Sequence, residues 1–182
     1  MALADRIPLA KLLPKPRAGG HWNLIKQAWD LLSGMPGGRM LFSRLVGRMA
    51  PYTATIHASV TVLRAGYAEV EMQDRRGLRN HLDSIHAIAL VNLAELAGNL
   101  ALAYSLPGDA RFIVSGLEIE YTKKARGRIT AIGETPIPRT SARAQYDVPV
   151  TLRDGSGDVV ARAVLHSLVG PKPGAASDRD VN

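Results

Sequence analysis

The sequence predicts an α+β domain in which a mostly antiparallel sheet packs around one long helix. Three observations predict it. Six segments alternate apolar and polar residues with a period of two. One 23-residue stretch, residues 84–106, is apolar on nearly every side and long enough for six helical turns. Turn-forming Gly, Pro and Asp residues separate these pieces. With 182 residues, 46% of them hydrophobic and 21% charged, the chain can bury one core, which excludes disorder of its bulk.

The elements follow in order. Pro14, Pro16, Gly19 and Gly20 predict a flexible lead-in. Between His21 and Ser33, the residues Trp22, Ile25, Trp29 and Leu32 recur at helical spacing, and Gly34-Met35-Pro36-Gly37-Gly38 stops that helix. A second amphipathic piece carries Leu41, Leu45, Val46 and Met49, with Arg44 and Arg48 one turn apart, and closes at Pro51. These two helices are expected to pack on the domain, with a lid or a membrane-surface contact as the other readings. The period then changes to two: Ile56, Ala58, Val60 and Val62 alternate with polar residues. Across the turn Arg64-Ala65-Gly66, Ala68, Val70 and Met72 do the same, which predicts a hairpin. After the long helix, strands are predicted at 111–121, 128–134, 142–153 and 159–169. This divides the chain into an N-terminal helical extension (1–50), a sheet-and-helix domain (51–170) and a disordered tail (171–182).

Composition excludes several functions. The absence of cysteine rules out disulfides, thiolate nucleophiles and cysteine-ligated zinc. Five scattered histidines without metal-ligand spacing predict no metal site, and no cofactor is expected. The net charge of +7 suits a polyanionic partner. Two Phe, two Trp and five Tyr do not suggest a base-stacking platform, so no nucleic-acid partner is expected. Near the start, Asp5, Arg6, Lys11 and Lys15 interrupt each apolar run, so the reading is cytoplasmic without an export signal.

The long helix is the informative element. Ile85, Ala89, Leu93, Leu96 and Leu100 form its main stripe, and Leu90, Val91, Ala94, Ala101 and Leu102 cover most of the remainder. A helix apolar all round must be enclosed. His86, Asn92, Glu95 and Asn99 argue against a membrane span, so a wrapped sheet plus a second copy is the expected enclosure. Only His86 and Glu95 in this stretch carry charge near neutral pH. Nine residues at about 100° each end about half a turn out of phase. The two side chains therefore leave opposite sides, and a shared site needs two copies. Asp83 or Ser84 is the expected helix cap.

The run from Asn80 to Glu95 resembles the helix-start motif of hotdog-fold thioesterases of the phenylacetyl-CoA type. Those carry an Asn, a Gly three residues on, a His-Gly-Gly beginning at the sixth, and an acidic residue nine beyond the His; Asn80, His86 and Glu95 fall on these places. The match looks closest to a branch in which Arg-Asn-His and Leu-Ala-Glu-Leu-Ala-like runs recur. It covers about residues 51–170, including Lys-Lys-Ala-Arg-Gly at 123–127. Asp83 and Ala87 stand where the family has glycines.

The resemblance implies a hotdog fold and a homodimer or dimer of dimers. It also implies hydrolysis of an acyl-CoA or acyl-carrier-protein thioester. The Ala87 N–H would polarise the thioester carbonyl. Glu95 of a second copy would act as general base or as nucleophile, and Asn80 would hold the carbonyl or the loop. Ser115 falls where relatives place a water-orienting hydroxyl. The basic run Lys123, Lys124, Arg126 and Arg128, with Arg75, Arg76 and Arg79, suits CoA phosphates. The competing expectations are a hotdog dehydratase and a module that binds acyl-CoA without cleaving it, the latter favoured by Asp83 and Ala87.

Overall fold

The computed structural model describes residues 22–173. The expected flexible lead-in and most of the expected tail lie outside them. Helix α1 (Leu24–Leu32) buries Ala28, Trp29 and Leu32, and α2 (Gly38–Met49) buries Phe42 and Val46. Trp29 and Phe42 meet edge to face at 5.1 Å, so the two short helices share one apolar seam. Asn23 joins this layer to the centre. Its Oδ1 accepts the Lys26 N–H and caps α1, while its Nδ2 donates to the carbonyls of Ala103 and Leu106 at the end of the long helix. One side chain therefore satisfies orphan groups of two helices.

Pro51 does not only end α2. It occupies the first turn of a further short helix, α3 (Pro51–Ala54), where its missing N–H costs nothing. The first strand consequently starts later than the alternation suggests. Ile56 is buried in a turn, His57 takes a left-handed φ of 51°, and β1 runs Ser59–Arg64. It forms the expected hairpin with β2 (Tyr67–Met72) across Ala65-Gly66. A 3-10 turn, Arg76–Leu78, leads to the long helix α4 (Ala87–Ser105). Then come β3 (Ala110–Tyr121), β4 (Ile129–Glu134), β5 (Ala144–Arg153) and β6 (Val159–Pro171).

The six strands form one antiparallel sheet in the order β1-β2-β4-β5-β6-β3. Chain passage through α4 carries β3 to the far edge beside β6, and α4 touches all six strands. The sheet closes round the helix: Leu93, Ala94, Ala101 and Leu102, read from the sequence as parts of its apolar surface, are fully enclosed, and so is Ala97. Contact is closest at β4, where Gly133 lets the α4 backbone at Ala97 rest on the sheet. By length and composition α4 could cross a membrane, but most of it is buried inside this fold.

The last strand runs two residues past its expected end. Its continuation is held, because the Lys172 Nζ donates to the carbonyls of Trp22 and Gly108. On β3 the register shifts between Val114 and Gly116, leaving Ser115 as an unpaired bulge residue. The bulge flips the strand's parity. Phe112 and Val114 face the core before it, and Leu117 and Ile119 after it.

Candidate active site at the start of the central helix

The site is built on the loop before α4. Asn80 organises it: Oδ1 accepts the N–H of Leu82 at 2.9 Å and the Ser84 hydroxyl at 3.2 Å, while the Asn80 N–H donates to the Ser84 carbonyl. Asp83 takes a φ of 51° at the place where relatives carry glycine. Asp is among the residues that tolerate this region, and its exposed carboxylate accepts from Arg79 at 2.8 Å. Arg79 also grips Asp74 through two nitrogens, at 2.8 and 3.2 Å. That guanidinium, helped by the Gly127 N–H, holds the Asp74 carboxyl below the usual carboxylate range.

With Ser84 bonded to Asn80 and Asp83 to Arg79, neither caps the helix. His86 does. Its backbone is extended, and its Nδ1 accepts the Ile88 N–H at 3.1 Å. This bond places the hydrogen of the neutral ring on Nε2, on an exposed edge. Ala87 is the first helical residue, so its N–H has no acceptor within the helix. The macrodipole adds positive potential there. A donor of this kind, left without an acceptor in the helix, is what a developing oxyanion requires. Tyr121 donates its hydroxyl to the Ala87 carbonyl at 3.3 Å, and burial pushes that hydroxyl's pKa up, which keeps it a donor. Sequence reasoning missed Tyr121. Only the bulge at Ser115 turns it towards the helix, and the Ser-Gly pair inside a strand was its one signal.

The basic loop after β3 is fastened to the same place. Ile85 N–H donates to the Ala125 carbonyl, and Arg126 Nε to the Asp83 carbonyl at 3.0 Å. Arg126, with exposed Lys124 and Arg128, thus lies around the helix start. Lys123 differs from them, since it is paired with Asp154 at 2.8 Å and Asp158 at 2.6 Å. Beside His86 a cavity of about 200 Å³ is lined by Tyr52, Thr55, Arg79, Ile88 and Asn92.

Two predicted residues lie elsewhere. Ser115 donates its hydroxyl to the His166 carbonyl at 3.0 Å on β3. Glu95 is exposed on α4, about 13 Å further along the axis at about 1.5 Å per residue. It shares an open stripe with Ile88, Val91 and Asn99. The Asn99 Nδ2 approaches the Glu95 Oε1 at 3.5 Å, the limit of a hydrogen bond, and the Asn99 Oδ1 is buried without a partner among the described residues. One chain therefore gathers Asn80, Ser84, His86, Ala87 and Arg126, and leaves Glu95 apart. Among the described residues no cluster of His, Asp and Glu could hold a metal ion.

Residues 38–169 match the family described as "Domain of unknown function (DUF4442)", a span that begins with α2. Among solved structures, the genomics target APC5556 is 33% identical, with a TM-score of 0.70, over 81% of this chain and 99% of that one. A thioesterase family protein from Silicibacter pomeroyi is 17% identical, with a TM-score of 0.62, over 71% of this chain and 96% of that one. The PaaI protein from the phenylacetic acid degradation operon of E. coli is 16% identical, with a TM-score of 0.58, over 69% and 88%. The latter two share the fold. No curated protein matches the sequence. The strand order, the wrapped helix and these likenesses identify a hotdog fold, and the chain belongs to the family described as Domain of unknown function (DUF4442).

Proposed function

We propose that the protein is a cytoplasmic hydrolase of acyl-CoA or acyl-carrier-protein thioesters that works as a dimer with its site shared between two copies. The observation that carries this reading is the division of labour on α4. Its tip offers an unspent N–H at Ala87, and its one open stripe carries its only carboxylate, Glu95. A second copy would cover that stripe and bring Glu95 to the partner tip. The 12-residue β3 offers a free sheet edge among the described residues, a natural place for two copies to pair. Ile113 and Leu168, exposed on the outer sheet face, would serve a pairing of dimers.

In this reading the thioester carbonyl accepts from the Ala87 N–H, with Asn80 holding the loop that aims it. Glu95 of the other copy takes a proton from water as the water oxygen bonds to the carbonyl carbon. Collapse of the tetrahedral adduct breaks the C–S bond; the thiolate takes up a proton, giving a carboxylic acid and a free thiol. Lys124, Arg126 and Arg128 face the CoA phosphates. The likeness to the Silicibacter pomeroyi thioesterase family protein supports the chemistry.

Thiol release from a panel of acyl-CoAs tests it. The wild type is expected to turn over at least one, and Glu95→Gln to lose about a hundredfold or more, the scale of a general base. Saturable binding without turnover would favour a non-catalytic acyl-CoA-binding module. The Ala87 methyl, where relatives have glycine, is the feature that argues for that second reading.

A further inference from the structure

A cavity of about 590 Å³ lies beneath α2, bounded by Leu41, Leu45 and Val46 on one side and Ala58 and Val60 on the other. Its one α4 residue is Leu96, the neighbour of Glu95 in the chain and so about 3.8 Å away at Cα. The volume is within the roughly 300–1,000 Å³ of sites that enclose a small molecule. The cavity beside His86, at about 200 Å³, is below that range and presents Thr55, Arg79 and Asn92. It suits the thioester head and not a hydrocarbon chain.

The larger cavity is prepared for an apolar occupant. Its Ser43 hydroxyl is already spent, donating to the Arg39 carbonyl at 2.8 Å and accepting the Val60 N–H at 2.9 Å. That hydroxyl therefore makes little further polar demand on a ligand. Arg44, Arg48 and His57 also border it, and between Asp30 and Glu69 the sequence contains no carboxylate. The surroundings suit an uncharged chain or the fatty carboxylate that hydrolysis leaves, and disfavour no anion.

We infer that the cleft beneath α2 is the acyl-chain site, and that the copy supplying Glu95 receives the chain while its partner's helix tip holds the carbonyl. This rests on the thioesterase reading above and adds a substrate class: apolar, unsubstituted chains of medium to long length. The N-terminal helix α2 then sets specificity by roofing the chain.

The test is a chain-length profile from acetyl-CoA to hexadecanoyl-CoA with wild type, Leu45→Trp and Ala58→Leu, which fill the cleft from opposite walls. Each buried methylene is worth about fourfold in kcat/KM, so the wild-type profile is expected to climb and then level where the cleft is full. In either variant the levelling point moves to shorter chains, and hexadecanoyl-CoA falls at least about tenfold in kcat/KM against the wild type. Fluorescence of cis-parinaric acid on the Glu95→Gln protein supplies a readout free of turnover: saturable binding is expected, and loss of it when Leu45→Trp is added. Circular dichroism of each variant verifies the fold. Turnover with a flat profile, or one that neither folded variant moves, overturns the cleft assignment and leaves the thioesterase reading standing. Cleft-dependent parinarate binding without turnover of any acyl-CoA supports the cleft and removes the hydrolase.

Discussion

Replacing Gly133 with alanine tests how the sheet positions the central helix. Gly133 lies on β4 opposite Ala68 and Val150. A methyl there would stand 2.7 Å from the Ala97 carbonyl oxygen, 2.8 Å from its carbon and 3.0 Å from the Gly98 nitrogen. The first is about 0.7 Å short of the 3.4 Å at which contact becomes ordinary. All three atoms are helix backbone, so no side chain can turn aside and α4 itself must retreat. A gap of that size forfeits roughly a quarter to a half of each dispersion contact it opens, and Leu93, Ala97 and Ala101 would all lose contact with the sheet. Overpacking typically costs about 1–3 kcal/mol, and a backbone clash belongs at the upper end. At about 2–4 °C per kcal/mol for a chain of this size, Tm is expected to fall by roughly 6–12 °C.

Gly98→Ala provides the contrast. Its methyl would meet Leu165 Cδ2 at 2.9 Å and Val150 Cγ2 at 3.1 Å, which are side-chain tips. Leu165 can rotate, and alanine favours helix over glycine by about 1 kcal/mol, so the net change is expected within about 1 kcal/mol of zero. Urea and thermal melts of both variants measure this. A Gly133→Ala protein as stable as the wild type, with Gly98→Ala the weaker of the two, would refute the packing argument.

Two further outcomes follow from side chains away from the site. Ser167 is fully buried on β6 and its hydroxyl has no partner among the described residues. Leaving such a group unpaired costs about 1–3 kcal/mol, so Ser167→Ala is expected to raise Tm by at least about 2 °C; an unchanged or lower Tm contradicts this. On the outer face, His166 Nδ1 meets Asp147 at 2.7 Å and Nε2 meets Glu118 at 3.5 Å, and the Asp147 carboxylate foremost raises the His166 pKa above 6.5. The same bond lowers Asp147 below 3.8. A raised histidine pKa stabilises fully below 6.5 and loses its contribution as pH rises through the folded value. A lowered aspartate pKa stabilises above 3.8 and loses its contribution as pH falls through the folded value. The pair is therefore strongest between pH 3.8 and 6.5. NMR titration should place His166 above 6.5 and Asp147→Asn should bring it back; a value at or below 6.5 in the wild type contradicts the pairing.

Periodicity made the core legible. Ile85, Ala89, Leu93 and Leu100, read as one helical stripe, are buried, and the hairpin turn falls at Ala65-Gly66. Where reading failed, a local bond competed with the pattern. The helix begins three residues late because Asp83 and Ser84, good caps in isolation, are engaged by Arg79 and Asn80, which leaves the cap to a histidine ring. The alternation through Ile56 and Ala58 suggested strand, but Pro51 starts another helical turn and His57 reverses the chain. Ser115 inverts the parity of half a strand, and no residue pattern counts that extra position in advance. At the site, the gathering of Asn80, His86 and Ala87 follows from their closeness in sequence. The separation of Glu95 from that group along the helix axis was equally legible, whereas the half-turn expected between His86 and Glu95 assumed a helical His86, and its backbone is extended. In the proposed dimer, what meets Glu95 is a matter of assembly, which intrachain spacing does not encode.

Subunit complementation tests the shared site most directly. A Glu95→Gln chain and an Asn80→Ala chain, each expected to be nearly inactive as a homodimer, are tagged differently, co-expressed and purified as the mixed species. If tip and carboxylate come from different copies, one of the two sites in the mixed dimer is wholly intact, and about half the wild-type rate of thiol release returns. If each site draws both from one chain, every site in the mixed dimer carries a defect, and a mixed dimer no more active than its parents would contradict the account.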